Sequence, residues 1–159
     1  MKVLLINGSP HPQGCTYTAL REVADALEHE GVETEFLHVS PHTVGCSACG
    51  QCARTGKCIV DDQVNDVLAR LEEWDGLVVS CRRGGASAAF DRLNKYFTIS
   101  AMPVVSSRYW NQVHGNRPEE VRQDEEGMQT MRILGQNMAW LLKCIQAGAQ
   151  AGITLPAPE

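Results

Sequence analysis

The chain has 159 residues, 43% of them hydrophobic and 21% charged, with a net charge of −5; this is an ordinary globular balance that fits one domain and excludes a disordered chain. Its 14 Lys and Arg are scattered, which excludes a basic stripe for nucleic acid and a polybasic patch for a membrane surface. Met1 to Asn7 is too short an apolar run for a signal peptide, and no stretch approaches membrane-spanning length, so a cytoplasmic protein is expected.

Lys2 to Asn7 is aliphatic and β-branched without polar alternation, the pattern of a parallel strand buried on both faces. Gly8 to Thr16 reads as a loop. Tyr17 to Glu30 then reads as an amphipathic helix, with Leu20, Val23, Ala24 and Leu27 on one face and Gly31 as its stop. Glu33 to Val39 is a second expected strand. A strand, loop, helix and strand at the very start of the chain predict an α/β doubly wound fold with a parallel sheet. Asp61-Asp62 supplies an N-cap for a helix through Val64, Val67, Leu68 and Leu71. Gly76 to Ser80 is the next buried strand, followed by a loop at Arg82-Arg83-Gly84-Gly85 and a helix over 88–97. Met102 to Ser106 is expected to be a short strand. A single long helix is predicted from about Glu119 to Ala149, with Met131, Leu134, Met138, Leu141, Leu142 and Ile145 at helical spacing. Ile153 to Glu159 is a Pro-containing tail.

The loop from Gly8 to Thr16 joins the C-terminal end of the first strand to the first helix, where open α/β sheets bind ligands. Amides at the helix start, the hydroxyls of Ser9 and Thr16 and the helix dipole all favour a phosphate. The loop has no Lys and so is not an NTPase loop, and it lacks the G-x-G-x-x-G of dinucleotide folds. A neutral, hydroxyl-bearing loop suits a terminal monophosphate that stays intact, as in FMN; the plainer alternative is a tight turn with a Thr cap.

Four of the seven cysteines, Cys46, Cys49, Cys52 and Cys58, form C-x2-C-x2-C-x5-C. In a reducing compartment, clustered thiols point to metal or redox chemistry. The compact spacing is closer to ferredoxin ligation than to paired zinc motifs, with zinc, or thiols that are empty or disulfide-forming, as the alternatives. Gly45, Gly50 and Gly56 permit the coil that convergence would need. Cys15, Cys81 and Cys144 are expected to be packing thiols.

Arg82 and Arg83 follow a strand end and should face the same crevice as the phosphate loop, where a cation would stabilise a reduced, anionic flavin; Gly84 and Gly85 would let backbone amides approach its ring. The plainer reading is a solvated loop. Tyr109-Trp110 suits flavin stacking or a subunit interface, Trp74 and Trp140 suit core or interface, and Met128, Met131 and Met138 suit core or a dimer contact rather than a cofactor feature. His114 is given no role.

Gly8-Ser9-Pro10 with Gly14-Cys15-Thr16, then Gly45-Cys46 to Asp62, Arg82 to Gly85, and Ser106 to Asn111, together resemble the NADPH-dependent FMN reductase and iron–sulfur flavoprotein family along nearly the whole chain. The resemblance implies a flavodoxin-like fold and FMN held by Ser9, Pro10, His11, Gly14, Cys15 and Thr16, with Arg82, Arg83, Gly84 and Gly85 beside the flavin. It also implies a [4Fe–4S] cluster on the four clustered cysteines, NAD(P)H or a protein as electron donor, and a homodimer or homotetramer. No residue need act as acid or base. Two departures stand out: Cys15 replaces the family's usual Asn, and a parallel crossover on the order of forty residues is missing after Ser80, either truly deleted or left out of this sequence. That leaves a flavin-free scaffold or interaction protein as the rival function.

Overall fold

The computed structural model describes residues 1–81 and 86–154. Its centre is β1 (Lys2–Asn7), whose Val3, Leu4 and Leu5 are buried. β2 (Glu33–His38) pairs with one side of β1, Lys2 opposite Glu33. β3 (Gly76–Ser80) pairs with the other, Val3 opposite Gly76. All three strands are parallel in the order β2-β1-β3, so the first two connections are crossovers, as the doubly wound reading requires.

The crossover from β1 to β2 is α1 (Cys15–His29), which starts two residues earlier than expected and buries Ala19, Leu20, Val23, Ala24 and Leu27. Its end is a Schellman motif: Gly31, at φ +79°, donates to Glu28 O at 3.0 Å and Val32 donates to Leu27 O at 3.0 Å. Between β2 and β3 lie the short α2 (Gln51–Thr55) and α3 (Gln63–Ala69); the Asp62 carboxylate caps α3 through the Val64 amide at 3.0 Å. Beyond β3 come α4 (Ala86–Ile99), α5 (Pro118–Gln123) and α6 (Glu125–Gln150). Met131, Met138, Ala139 and Leu142 of α6 join α1 and β1 in one core.

Two expectations are corrected. The long helix from Glu119 is broken at Asp124, whose carboxylate accepts from the amides of Gly127, at 3.1 Å, and His114, at 2.6 Å; its side chain outcompetes helix continuation and starts α6 afresh. Met102 to Ser106 is irregular, not a strand. Pro103 removes a ladder donor, and no described strand lies on the side of β3 away from β1 to receive the segment. Among the described residues β3 is therefore an open edge. A trough of about 910 Å³ runs along it, walled by Leu20 and Val23, by Leu141 and Ile145, and by Phe90 and Phe97.

At the edge of the sheet, Glu35 of β2 accepts a two-pronged hydrogen bond from Arg70, at 2.9 and 2.8 Å, and lies 2.6 Å from the Lys2 ammonium. Arg70 also reaches Glu73 and lies 4.9 Å from the Trp74 ring centroid. Hydrogen bonds from Arg70, then from Lys2, hold the Glu35 carboxyl down at about 2. A carboxyl lowered on folding stabilises the fold above its ordinary range and loses that contribution as pH falls through its folded value. Stability should therefore decline as pH drops from about 4.5 to about 2. Urea midpoints followed across that range should show a flatter profile in Glu35→Gln; an unchanged profile would remove Glu35 from the acid response.

Candidate functional site

The loop between β1 and α1 is built around one buried side chain. Asn7, at the end of β1, is 2% exposed. Its Oδ1 accepts from the Ser9 amide at 3.0 Å, and its Nδ2 donates to Pro12 O at 3.1 Å and, at a longer 3.5 Å, to His11 O. The His11 amide donates to Ser9 Oγ at 3.2 Å, and the Gly14 amide donates to His11 O at 3.3 Å. From β2, His38 Nε2 donates to Ser9 O at 2.7 Å, which requires the proton on that nitrogen. The Gly8 amide donates to Ser80 O at 2.8 Å and so ties the loop to the end of β3.

With the amides of Gly8, Ser9, His11 and Gly14 used inside the chain and Pro10 and Pro12 having none, the remaining donors are those of Gln13, Cys15, Thr16 and Tyr17. These donate to no described group, and α1 has no side-chain cap. Three of the four belong to the first turn of α1, where free amides and the helix dipole together make a site for an anion. Thr16 is buried but its hydroxyl makes no described hydrogen bond; Ser9 is buried and its hydroxyl proton is likewise uncommitted. Pro10 and His11 are exposed, and Gly14 and Cys15 are half-buried at the helix start. The residues present thus fit a phosphate group without lysine. Of the residues expected here, the structure brings Ser9, Gly14, Cys15 and Thr16 together, with Pro10 and His11 on the rim.

Arg82, Arg83, Gly84 and Gly85 lie outside the described residues. Ser80, just before them, is at the loop. Tyr109 and Trp110 stack on each other, their ring centroids 5.6 Å apart, and both are largely exposed. Trp110 borders the trough beside β3. Trp140 is exposed, which leaves it the interface alternative, and Cys144 is exposed rather than packed; the three methionines are core residues as expected.

The cysteine segment is fastened at both ends by the start of α3. Asp62 Oδ2 accepts from the Val44 amide at 3.1 Å. Asn65 Oδ1 accepts from the Cys58 amide at 2.8 Å, and its Nδ2 donates to Cys58 O and Val60 O. Gly50 and Gly56, both at φ +71°, turn the chain into and out of α2. Cys46, Cys49 and Cys52 are exposed and Cys58 is half-buried, all as free thiols. Among the described residues, no three Cys, His, Asp or Glu side chains are grouped to hold a metal ion. The segment has the residue types and spacing of a cluster site without the convergence, so as arranged it does not fit one.

Sequence reasoning missed Asn7, His38, Asp62 (beyond its cap) and Asn65 as organisers of the two loops. The available signal for Asn7 was an amide at the end of a strand otherwise made for burial.

Residues 1–81 match the family model for NADPH-dependent FMN reductase. An iron-sulfur flavoprotein of Methanocaldococcus jannaschii is 27% identical over 192 aligned positions, covering 92% of this chain and 100% of the relative. Since 192 positions exceed the 159 residues here, tens of positions in that relative face no residue of this chain. An iron-sulfur flavoprotein of Archaeoglobus fulgidus is 32% identical over 80 residues, 50% of this chain and 39% of that protein. One of Methanosarcina thermophila is 27% identical over 81 residues, 50% of this chain and 42% of that protein. The solved structure of RosB with the bound intermediate 8-demethyl-8-formylriboflavin-5'-phosphate matches with a TM-score of 0.55 at 16% identity, over 100% of this chain and 90% of that one. At that identity the likeness carries the fold alone, which is flavodoxin-like. Half of the chain, including the loop between β1 and α1 and all three described strands, thus matches one family model, and the chain belongs to the NADPH-dependent FMN reductase family.

Proposed function

We propose that this chain binds FMN with the phosphate on the first turn of α1, and that it transfers electrons between a reduced nicotinamide or a protein donor and an acceptor. The observation that carries this reading is the set of uncommitted amides at Cys15, Thr16 and Tyr17 behind a loop already held by its own side chains. When bound, the isoalloxazine supplies the redox chemistry. The chain's residues bind and orient: the α1 amides and the Thr16 hydroxyl would hold the phosphate, and the end of β3 would lie beside the flavin. Titration with FMN, riboflavin and inorganic phosphate, followed by quenching of flavin fluorescence, tests this. FMN should bind more tightly than riboflavin, and phosphate should compete. Equal affinity for the two flavins, or uptake of neither, would overturn it.

A second reading concerns Cys46, Cys49, Cys52 and Cys58. Their spacing, and the names of the relatives as iron–sulfur flavoproteins, favour a [4Fe–4S] cluster. Protein purified anaerobically should contain iron and acid-labile sulfide that Cys49→Ala removes. Metal-free protein from such a preparation would leave the thiols without a cluster. Self-association as a homodimer or homotetramer belongs to the same reading, supported by the exposure of Tyr96, Ile99 and Trp140.

A further inference from the structure

We propose that Asn7, with His38, is a positioning residue that makes the loop selective for a phosphorylated flavin over its unphosphorylated form; this rests on the reading of the loop as an FMN site. An anion site made only of backbone has a particular difficulty. Each peptide unit carries a carbonyl oxygen as well as an amide, and a loop free to turn offers its negative ends as readily as its positive ones. Lysine would override that, but this loop has none.

The structure occupies the carbonyls instead. Pro12 O accepts from Asn7 Nδ2 at 3.1 Å. His11 O accepts from the Gly14 amide and, at longer range, from Asn7 Nδ2. Ser9 O accepts from His38 Nε2 at 2.7 Å. Meanwhile Asn7 Oδ1 takes up the Ser9 amide. Three loop carbonyls are thereby held by hydrogen bonds, and the amides left over are those of Gln13 and the first turn of α1. Asn7 is suited to this because its one amide group both accepts and donates. It is also almost completely buried in the strand that the whole sheet holds in place, so its direction is set before any ligand arrives. Ordering the loop in advance removes that entropy cost from the binding step.

The phosphate should feel the loss of this arrangement more than the ring, because the held carbonyls belong to the loop read as the phosphate site, whereas the ring is read as lying beside the end of β3. The test compares FMN and riboflavin affinities of the full chain and three variants by fluorescence quenching, alongside thermal melting. In Asn7→Ala, FMN affinity should fall about 10- to 100-fold while riboflavin affinity stays within about twofold. Asn7→Asp keeps an acceptor for the Ser9 amide, loses the donor to Pro12 and adds a negative charge, so its loss of FMN should be larger still. His38→Ala releases only Ser9 O from the half-buried end of β2 and should cost about 3- to 10-fold in FMN affinity; it decides the matter if both Asn7 variants fail to fold. An unchanged FMN-to-riboflavin ratio in the folded variants, or an equal loss for both flavins, would overturn the positioning role while leaving the FMN site intact. Wild-type chain that does not prefer FMN would overturn both.

Discussion

Gly135→Ala is expected to destabilise the protein by about 1–3 kcal/mol, and Gly135→Val by more, although alanine is worth about 1 kcal/mol more than glycine in a helix interior. The reversal of sign comes from where α6 crosses α1. A Cβ built on Gly135 would lie 2.7 Å from Val23 O and 2.8 Å from Ala26 Cβ. The first of these is backbone inside a helix and cannot rotate aside, so the two helices would have to part. Val23 and Leu27 sit in the core that those helices share with β1, so separation opens that core. Gly148, in the same helix, is the control: the nearest atom to its added Cβ is 3.8 Å away, and Gly148→Ala should gain up to about 1 kcal/mol from propensity. Urea unfolding of both variants gives the answer. If Gly135→Ala shifts the midpoint upward as Gly148→Ala does, the close crossing is wrong.

The half of the molecule that matches the family is also the half whose sequence is easiest to read, and for one physical reason. β1 is buried on both faces, so Val3, Leu4 and Leu5 leave no polar alternation to confuse; α1 shows its stripe and its Gly31 stop in plain residues. Beyond β3 the signals weaken because they depend on neighbours. Met102 to Ser106 has strand-like residues, yet a strand needs a partner, and the one that would adjoin β3 is not among the described residues. Asp124 lies within a continuous apolar period and still breaks the helix, because its carboxylate finds the amides of His114 and Gly127. The site divides in the same way. The free amides of α1 follow from a local pattern, whereas His38 reaches Ser9 across 29 residues and no spacing rule announces it. Cysteine spacing states which thiols could converge, while the anchors at Asp62 and Asn65 decide how the segment actually hangs.

Gly14→Asp should abolish measurable FMN uptake while sparing the fold, a combination that few other substitutions would give. Gly14 is the N-cap of α1, at φ −84° and ψ −164°, an extended conformation open to any residue. An aspartate there would turn its carboxylate onto the Thr16 or Tyr17 amide, as N-caps do, but because glycine is itself a good cap the helix would gain only a few tenths of a kcal/mol. Part of that gain would be offset, because the new Cβ would come within 3.0 Å of His11 Cβ and press the loop outward by a few tenths of an ångström. The consequence for a phosphate is one-sided. The carboxylate occupies the same donors and adds a negative charge at the same point. Losing two charge-assisted hydrogen bonds costs at least about 3 kcal/mol, or a hundredfold or more in affinity. Gly14→Ser brings the same steric change with a neutral cap and should lose only about tenfold. Calorimetric titration with FMN, paired with a melting curve, distinguishes these outcomes. FMN bound by Gly14→Asp with undiminished affinity would mean that the phosphate rests somewhere other than the first turn of α1.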